Sequence, residues 1–440
     1  MKFYIKKLGC PKNDVDGDYL AGRLVQLGHE LVADSEGAEA IIVNTCGFIL
    51  PAKEESIAEI LQFEEQKKRG RIKKLFVTGC LSQRYGEDLQ RDIPGVDGFF
   101  GLGKIEALIE RLDSNLTGGY LVRDPASELT YTSGDIRYVE ESYPYAYLKI
   151  AEGCDRYCAY CAIPYIRGRY RSRPIREIID EAQLLASRGK KELILVSQEG
   201  SGYGRDSKDG TDIIDLLKAL EKVAGVEWIR LMYLHPEAVT KQLIDYLTGS
   251  AKVLGYFDIP LQHVSDKILK KMNRRVTRRE IENLLEKIRQ ASAENIIRTT
   301  FITGFPGETE RDFEELHEFM ESFKFNRLGV FAYSPEEGTA AVKMGRRPSA
   351  RMAAERQDIL MSLQQGIAFE KNISLIDKIQ KVIIDEIRQG APAVGRSMGD
   401  CPEIDQQVYV KGEGLVVGDI VKARIVMAEG YDLIAEKAGG

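Results

Sequence analysis

The sequence predicts an α/β protein in three parts: an N-terminal open α/β sheet, a central incomplete barrel of six βα units, and a small C-terminal antiparallel β-barrel. Three observations predict this. Short apolar runs alternate with helical periods up to about residue 115, a longer alternation of six such units follows, and from about Lys378 short strand-like runs are separated by Gly-rich turns. The boundaries fall at 1–120, 140–375 and 376–440.

The first alternation has strand-like runs at Lys2–Leu8, Ala40–Asn44, Lys74–Thr78 and Gly98–Gly101, with helical periods at Asp16–Leu27 and Lys53–Lys67. Residues 116–144 show no sustained period and read as a linker or a short pair of strands. In the centre, strands are expected at Tyr147–Ala151, Glu192–Ser197, Trp228–Leu234, Tyr256–Leu261, Arg298–Thr303 and Arg327–Ser334. Helices are expected at Ile175–Arg188, Ile213–Val223, Val239–Leu247, Arg279–Ala293 and Asp312–Phe323. Parallel neighbours need crossover helices, so six βα units imply a curled parallel sheet. A further helix, Arg351–Leu375, leads to terminal strands at Val382–Glu386, Gln407–Val410, Ile420–Met427 and Tyr431–Ala435.

Composition narrows the function. The 440 residues are ordinary in apolar and charged content, no apolar run is long enough to cross a membrane, and the first residues lack the apolar segment of a signal peptide, so a cytoplasmic protein without a membrane partner is expected. Seven cysteines argue for ligands or spare thiols rather than a disulfide framework. A net charge of −6 offers no global attraction to nucleic acid.

Cys154, Cys158 and Cys161 follow the first barrel strand in a Cys-x3-Cys-x2-Cys loop. Three thiolates on such a loop can hold three irons of a [4Fe–4S] cubane and leave the fourth open. An open iron suits chelation by the amine and carboxylate of S-adenosylmethionine. The alternatives are a zinc site, which favours two-residue spacings and a fourth ligand nearby, or buried structural cysteines. Cys10, Cys46 and Cys80 lie far apart in sequence, yet each follows a strand of the N-terminal sheet. Carboxyl ends of parallel strands share one rim, so these three converge there, with Gly9, Gly47 and Gly79 giving the chain room to bend. They form a second three-thiolate set, and Cys401 is left as a buried or half-exposed residue.

The Cys-x3-Cys-x2-Cys loop at the head of a six-unit βα array resembles the radical S-adenosylmethionine superfamily. That resemblance implies that Tyr160, Gln198 and Gly304, the last in Gly304-Phe305-Pro306-Gly307-Glu308, face the cofactor. Three separated N-terminal cysteines, then the radical loop, then a terminal barrel of the TRAM kind resemble the methylthiotransferases along essentially the whole chain. The opening Lys7-Leu8-Gly9-Cys10-Pro11-Lys12-Asn13 and the segment Gly395–Asp405 look like the RimO type, which modifies an aspartate β-carbon of small-subunit ribosomal protein twelve. The segment Ser197–Gly204 departs from the Gln-Asp-Thr-Thr form of that type. The resemblance implies two [4Fe–4S] clusters and S-adenosylmethionine, a radical made in the middle domain, sulfur delivered at the N-terminal cluster, and an electron donor such as a flavodoxin or ferredoxin.

Charge bears on the substrate. From Ile376 to Gly440, eight Lys and Arg face eleven Asp and Glu, a net of −3. Such a barrel suits a basic protein better than tRNA, and Asp400, Glu403 and Asp405 are expected to matter most. Nucleic acid is therefore not the expected substrate. The basic run Lys270–Arg279 is the counter-indication, fitting RNA, the cofactor carboxylate or a solvated helix end. The alternatives are a tRNA adenosine methylthiotransferase, a zinc-dependent binding protein, or a non-catalytic iron–sulfur electron carrier.

Overall fold

A computed structural model of the chain describes residues 1–114, 118–122 and 137–438. Two compact units emerge. The first comprises Met1–Val139, Ala151–Arg171 and Ser334–Val342; the second comprises Glu140–Ile150, Ser172–Tyr333 and Lys343–Gly440. The cysteine loop after the first barrel strand thus packs with the N-terminal sheet, a grouping that linear pattern does not show.

The first unit holds a six-stranded parallel sheet: β1 (Lys2–Lys7), β2 (Glu30–Leu31), β3 (Ala40–Thr45), β4 (Lys74–Gly79), β5 (Gly98–Phe100) and β6 (Tyr120–Leu121), in the order β2-β1-β3-β4-β5-β6. Its helices are α1 (Pro11–Gln26), α2 (Leu50–Lys68), α3 (Cys80–Asp92) and α4 (Ile105–Asp113). Every residue of β3 is buried, as a central strand covered on both faces requires. Ile41, Val43, Leu75 and Val77 meet Ile60, Phe63, Leu81 and Leu89 of α2 and α3 on one face. On the other, Phe3, Ile5, Ile42 and Phe76 meet Leu20 and Leu24 of α1 and Leu108 and Leu112 of α4. The strand alternation thus sorts side chains into two cores. Most of the stretch 116–144 lies outside the described residues, apart from β6 and the segment from Arg137.

In the second unit all six expected central strands form, as two parallel three-stranded sheets. Trp228–Leu231, Glu192–Val196 and Tyr145–Lys149 make one; Tyr256–Asp258, Ile296–Thr303 and Arg327–Ala332 make the other. The Leu234 amide donates to the Asp258 carbonyl at 2.7 Å, joining them in sequence order. Helices Ile213–Leu220, Arg278–Ala291 and Glu310–Phe323 each open on a capping box, Asp212 with Asp215, Thr277 with Glu280 and Thr309 with Asp312. Among the described residues no helix is long and apolar enough to cross a membrane.

The terminal strands close into a five-stranded barrel: Ile379–Glu386, Ala393–Ser397, Val408–Lys411, Asp432–Lys437 and Ile420–Glu429 in spatial order. The pairing is antiparallel except that Val408–Lys411 runs parallel to Asp432–Lys437. Val382, Ile384, Val408, Ile425 and Leu433 fill its core.

A buried network ties this barrel to the amino ends of the central strands within the same unit. Glu192, fully buried, accepts from Arg230 Nε at 2.8 Å and Arg396 Nη1 at 2.7 Å, and Arg396 also reaches Asp385. Asp400 takes Arg327 Nε at 2.8 Å; Asp405 stands 3.4 Å from Arg298 and accepts from the Tyr256 hydroxyl. This corrects the expectation that Asp400 and Asp405 display charge to a substrate. Both carboxylates face inward because the neighbouring strands supply buried arginines, and of the three only Glu403 is exposed. The basic run Lys270–Arg279 is likewise broken up: Arg274 is buried and donates to the Pro260 carbonyl, and Met272 and Val276 turn inward beside it.

Candidate functional site

The strand order 2-1-3-4-5 of the first unit reverses between β1 and β3, and ligands of open α/β sheets bind at the carboxyl ends of strands at such a switch point. Cys10 follows β1 as the residue preceding α1, Cys46 follows β3, and Cys80 follows β4 as the first residue of α3. Two of the three sulfurs thus belong to helix starts, where unpaired amides and the helix dipole favour a thiolate.

The glycines beside them show how closely these segments approach. A Cβ on Gly9, at φ +96°, would lie 2.7 Å from Cys46 Cβ and 3.0 Å from its Sγ. One on Gly47 would lie 2.8 Å from the Cys80 carbonyl carbon and oxygen. The three cysteine-bearing turns therefore touch, as the sequence predicts. Ser56 of α2 holds Cys46 in place: its hydroxyl accepts from the Cys46 amide and donates to the Cys46 carbonyl, both at 3.1 Å.

The second set stands on a tight loop in the same unit. Gly153, at φ +78°, leaves no room for a side chain, since a Cβ would meet the Arg169 carbonyl at 2.1 Å. The Cys154 amide donates to the Gly168 carbonyl at 3.1 Å, and the Cys161 amide to the Cys158 carbonyl at 3.0 Å. Tyr157 adopts φ +48°, a left-handed conformation that costs a non-glycine residue energy and is retained where surroundings dictate it. All three thiols are half-buried. The loop reaches the first set directly: Ala162 and Ile166 form a small buried cluster with Cys80 and Leu102.

Arg167, on the segment that follows the second set, reaches the first and was not singled out from sequence. Fully buried, it donates through Nη1 to Glu152 at 2.9 and 3.1 Å and to Asp16 at 3.2 Å, and through Nη2 to Asn13 Oδ1 at 2.5 Å and Cys80 Sγ at 3.4 Å. The one available signal is an arginine in the apolar run Ile163-Pro164-Tyr165-Ile166-Arg167-Gly168. The segment Ser334–Val342 is fastened to the same unit by buried Glu336, which pairs with Lys53 at 2.8 Å and Arg84 at 2.9 Å, while Arg84 also holds the Gly47 carbonyl at 2.7 Å.

The electrostatics fit cationic clusters. Burial first, then the neighbouring Cys80 thiol, pushes Cys46 up to about 12. Cys80 is also raised by burial, against the pull of Arg167, and burial with Cys158 beside it raises Cys161. Thiols so crowded and desolvated ionise only when a positive partner compensates, as metal ligation does. Among the described residues no three His, Cys, Asp or Glu side chains are arranged to hold one metal ion. A cubane asks something wider than zinc does, one thiolate on each of three irons.

The other expected cofactor residues lie as follows. Tyr160 is half-buried on the cysteine loop. Gln198 follows strand Glu192–Val196 and is half-buried. Next to it Glu199 pairs with Arg205, and residues 200–202 form a 3₁₀ turn in which a Cβ on Gly200 would meet the Met232 carbonyl at 2.2 Å, which accounts for the glycine at that position. Gly304 has φ +75°, and a Cβ there would meet Ala353 Cβ at 2.3 Å, so packing against helix Ala350–Ile373 alone demands glycine. Glu199 and Asp258 are committed to Arg205 and Arg298, which leaves no carboxylate dyad at these strand ends.

A cysteine loop at the head of a six-strand parallel array defines this chain as a radical S-adenosylmethionine enzyme, with an added N-terminal cysteine set and a TRAM barrel. Family models agree: the Radical SAM superfamily over residues 148–320, Uncharacterized protein family UPF0004 over 2–101, and the TRAM domain over 376–437. The chain belongs to the RimO family of methylthiotransferases, whose cofactors are S-adenosylmethionine and [4Fe–4S] clusters. It is 42% identical over 99% of its length to the ribosomal protein uS12 methylthiotransferase RimO of Desulfitobacterium hafniense, covering 98% of that protein. It is 45% identical over 98% of its length to the protein of the same name from Aquifex aeolicus, covering 96%. The fold is shared with the radical S-adenosylmethionine methyltransferase TsrM of Kitasatospora setae, at TM-score 0.55 and 15% identity over 76% of each chain.

Proposed function

We propose that this chain adds a methylthio group to the β-carbon of an aspartate in ribosomal protein uS12. The observation that carries the reading is the meeting of two three-cysteine sets in one compact unit of a chain that aligns end to end with uS12 methylthiotransferases. Cys154, Cys158 and Cys161 would hold one [4Fe–4S] cluster, and Cys10, Cys46 and Cys80 the other. With S-adenosylmethionine these groups supply one-electron cleavage to a radical able to take hydrogen from an unactivated carbon, together with the sulfur that replaces it. Tyr160, Gln198 and Gly304 are assigned to S-adenosylmethionine on the resemblance.

The chain's own contribution is positioning. Gly9, Gly47 and Gly79 let three segments close around one volume, and Ser56 and Arg84 fix the backbone of Cys46 and Gly47. With Asp400 and Asp405 turned inward, the terminal barrel exposes Glu403, Glu413, Glu429 and Glu436 among lysines and arginines such as Lys411, Lys422, Arg424 and Lys437, so the substrate assignment rests on the relatives and not on the barrel's charge. A flavodoxin or ferredoxin fits as electron donor, and the cytoplasm as the compartment.

The test is incubation of the anaerobically reconstituted chain with uS12 or with tRNA, S-adenosylmethionine and a reductant, followed by mass spectrometry of both. One methylthio addition on an aspartate-containing peptide of uS12 is expected. Addition to tRNA and none to uS12 would overturn the substrate assignment.

A further inference from the structure

We infer that Arg167 is a positioning residue for the N-terminal cluster, presenting a fixed N–H to the sulfur of Cys80 and thereby setting that cluster's reduction potential. The inference rests on the reading that Cys10, Cys46 and Cys80 are cluster ligands. Arg167 Nη2 carries two hydrogens; one goes to Asn13 Oδ1 at 2.5 Å and the other to Cys80 Sγ at 3.4 Å. The guanidinium cannot swing away, because Glu152 and Asp16 hold Nη1 and the side chain is buried.

Asn13 is itself locked. Its amide nitrogen donates to the Leu8 carbonyl at 3.1 Å and the Thr45 carbonyl at 2.9 Å, which leaves Oδ1 as the acceptor facing Arg167 and Cys80. The Cys80 thiol donates to that oxygen at 3.6 Å. A cluster-bound Cys80 sulfur would accept the Arg167 N–H, a bond assisted by the guanidinium charge.

Hydrogen bonds to ligand sulfur stabilise the more negative, reduced form of a cluster and raise its potential. Arg167 lies six residues after Cys161, so the segment that carries one cysteine set delivers this donor to the other. Lysine would keep the charge but not the fork that binds Glu152, Asn13 and Cys80 together.

The experiment uses the full chain with Cys154, Cys158 and Cys161 all changed to Ala, so that only the N-terminal cluster assembles on anaerobic reconstitution with iron and sulfide. Iron per chain and the midpoint potential, followed by EPR in a mediated titration, are read in this background. Arg167→Gln is combined with Glu152→Gln, so that the buried carboxylate is not left against a missing cation and only the half-buried Asp16 loses a partner, and is compared with Glu152→Gln alone; Arg167→Lys is the rescue. The expected result is unchanged iron, a midpoint shifted to lower potential in the double variant, and partial recovery with lysine. An unmoved midpoint with iron retained overturns the inference, as does equal loss of iron from the glutamine and lysine variants, which would make Arg167 a staple of the fold. A background chain that binds no iron overturns the ligand assignment, and the inference with it.

Discussion

Asp400→Ala should destabilise the second unit strongly, although the sequence places this residue among acids that attract a substrate. Its carboxylate is fully buried, accepting from Arg327 Nε at 2.8 Å on one oxygen and from the Ser397 hydroxyl on the other. Arg327 is only 13% exposed, so truncation leaves a desolvated guanidinium bonded to the Asn326 carbonyl, with Asp405 nearby but no carboxylate paired to it directly. Breaking a buried ion pair from one side costs about 3–5 kcal/mol. For a unit of this size each kcal/mol moves the melting temperature by roughly 2–4 °C, so a drop of about 6–20 °C is expected. Calorimetry of the variant reads it, with Glu413→Lys as the exposed control, expected to stay within about 0.5 kcal/mol of the parent. An Asp400→Ala protein that melts like the parent but captures uS12 poorly would refute the buried-pair reasoning and restore the residue to the substrate surface.

Two further outcomes follow from the geometry. His263 is fully buried, with Nδ1 accepting from the Val264 and Ser265 amides at 2.9 and 3.0 Å, and burial lowers it from 6.5 to about 4. The depressed value means stability that is present above pH 6.5 and lost as pH falls toward 4, about 3 kcal/mol in all; His263→Asn, which keeps an acceptor in place, should flatten urea-unfolding stability over that window, and an unchanged slope would contradict this. Gly47→Ala forces a Cβ to within 2.8 Å of Cys80 backbone, which cannot yield as a flexible side chain does, so about 1–3 kcal/mol is lost and iron bound after reconstitution should fall by half while the second cysteine set stays loaded; full iron content would show that the cysteine turns tolerate separation.

Legibility in the sequence followed length and burial. The six central strands and the strands β1, β3, β4 and β5 were visible because each is a continuous apolar run between helical periods, whereas β2 and β6, of two residues each, are too short to have a period. Helix α3 escaped because it starts at Cys80 itself, continues through Ser82-Gln83-Arg84 and is kinked at Tyr85, where φ is −132°. Strand Ala393–Ser397 hid a buried arginine in a segment that reads as polar. Charge could be counted, but whether Asp400 pointed outward could not, since that depends on Arg327 from a strand more than 70 residues away. The convergence of Cys10, Cys46 and Cys80 was legible because parallel strands share a rim; the reach of Arg167 to Cys80 was not, because it depends on where a loop packs after the fold closes.

The most direct test of the two-set account compares Cys46→Ala with Cys158→Ala in reconstituted full-length protein, measuring 5′-deoxyadenosine and methylthio product together. Cys46→Ala should still release 5′-deoxyadenosine and yield no methylthio product, while Cys158→Ala should release none. Undiminished 5′-deoxyadenosine from Cys158→Ala, or equal loss of both activities in the two variants, would contradict the division of labour between the cysteine sets.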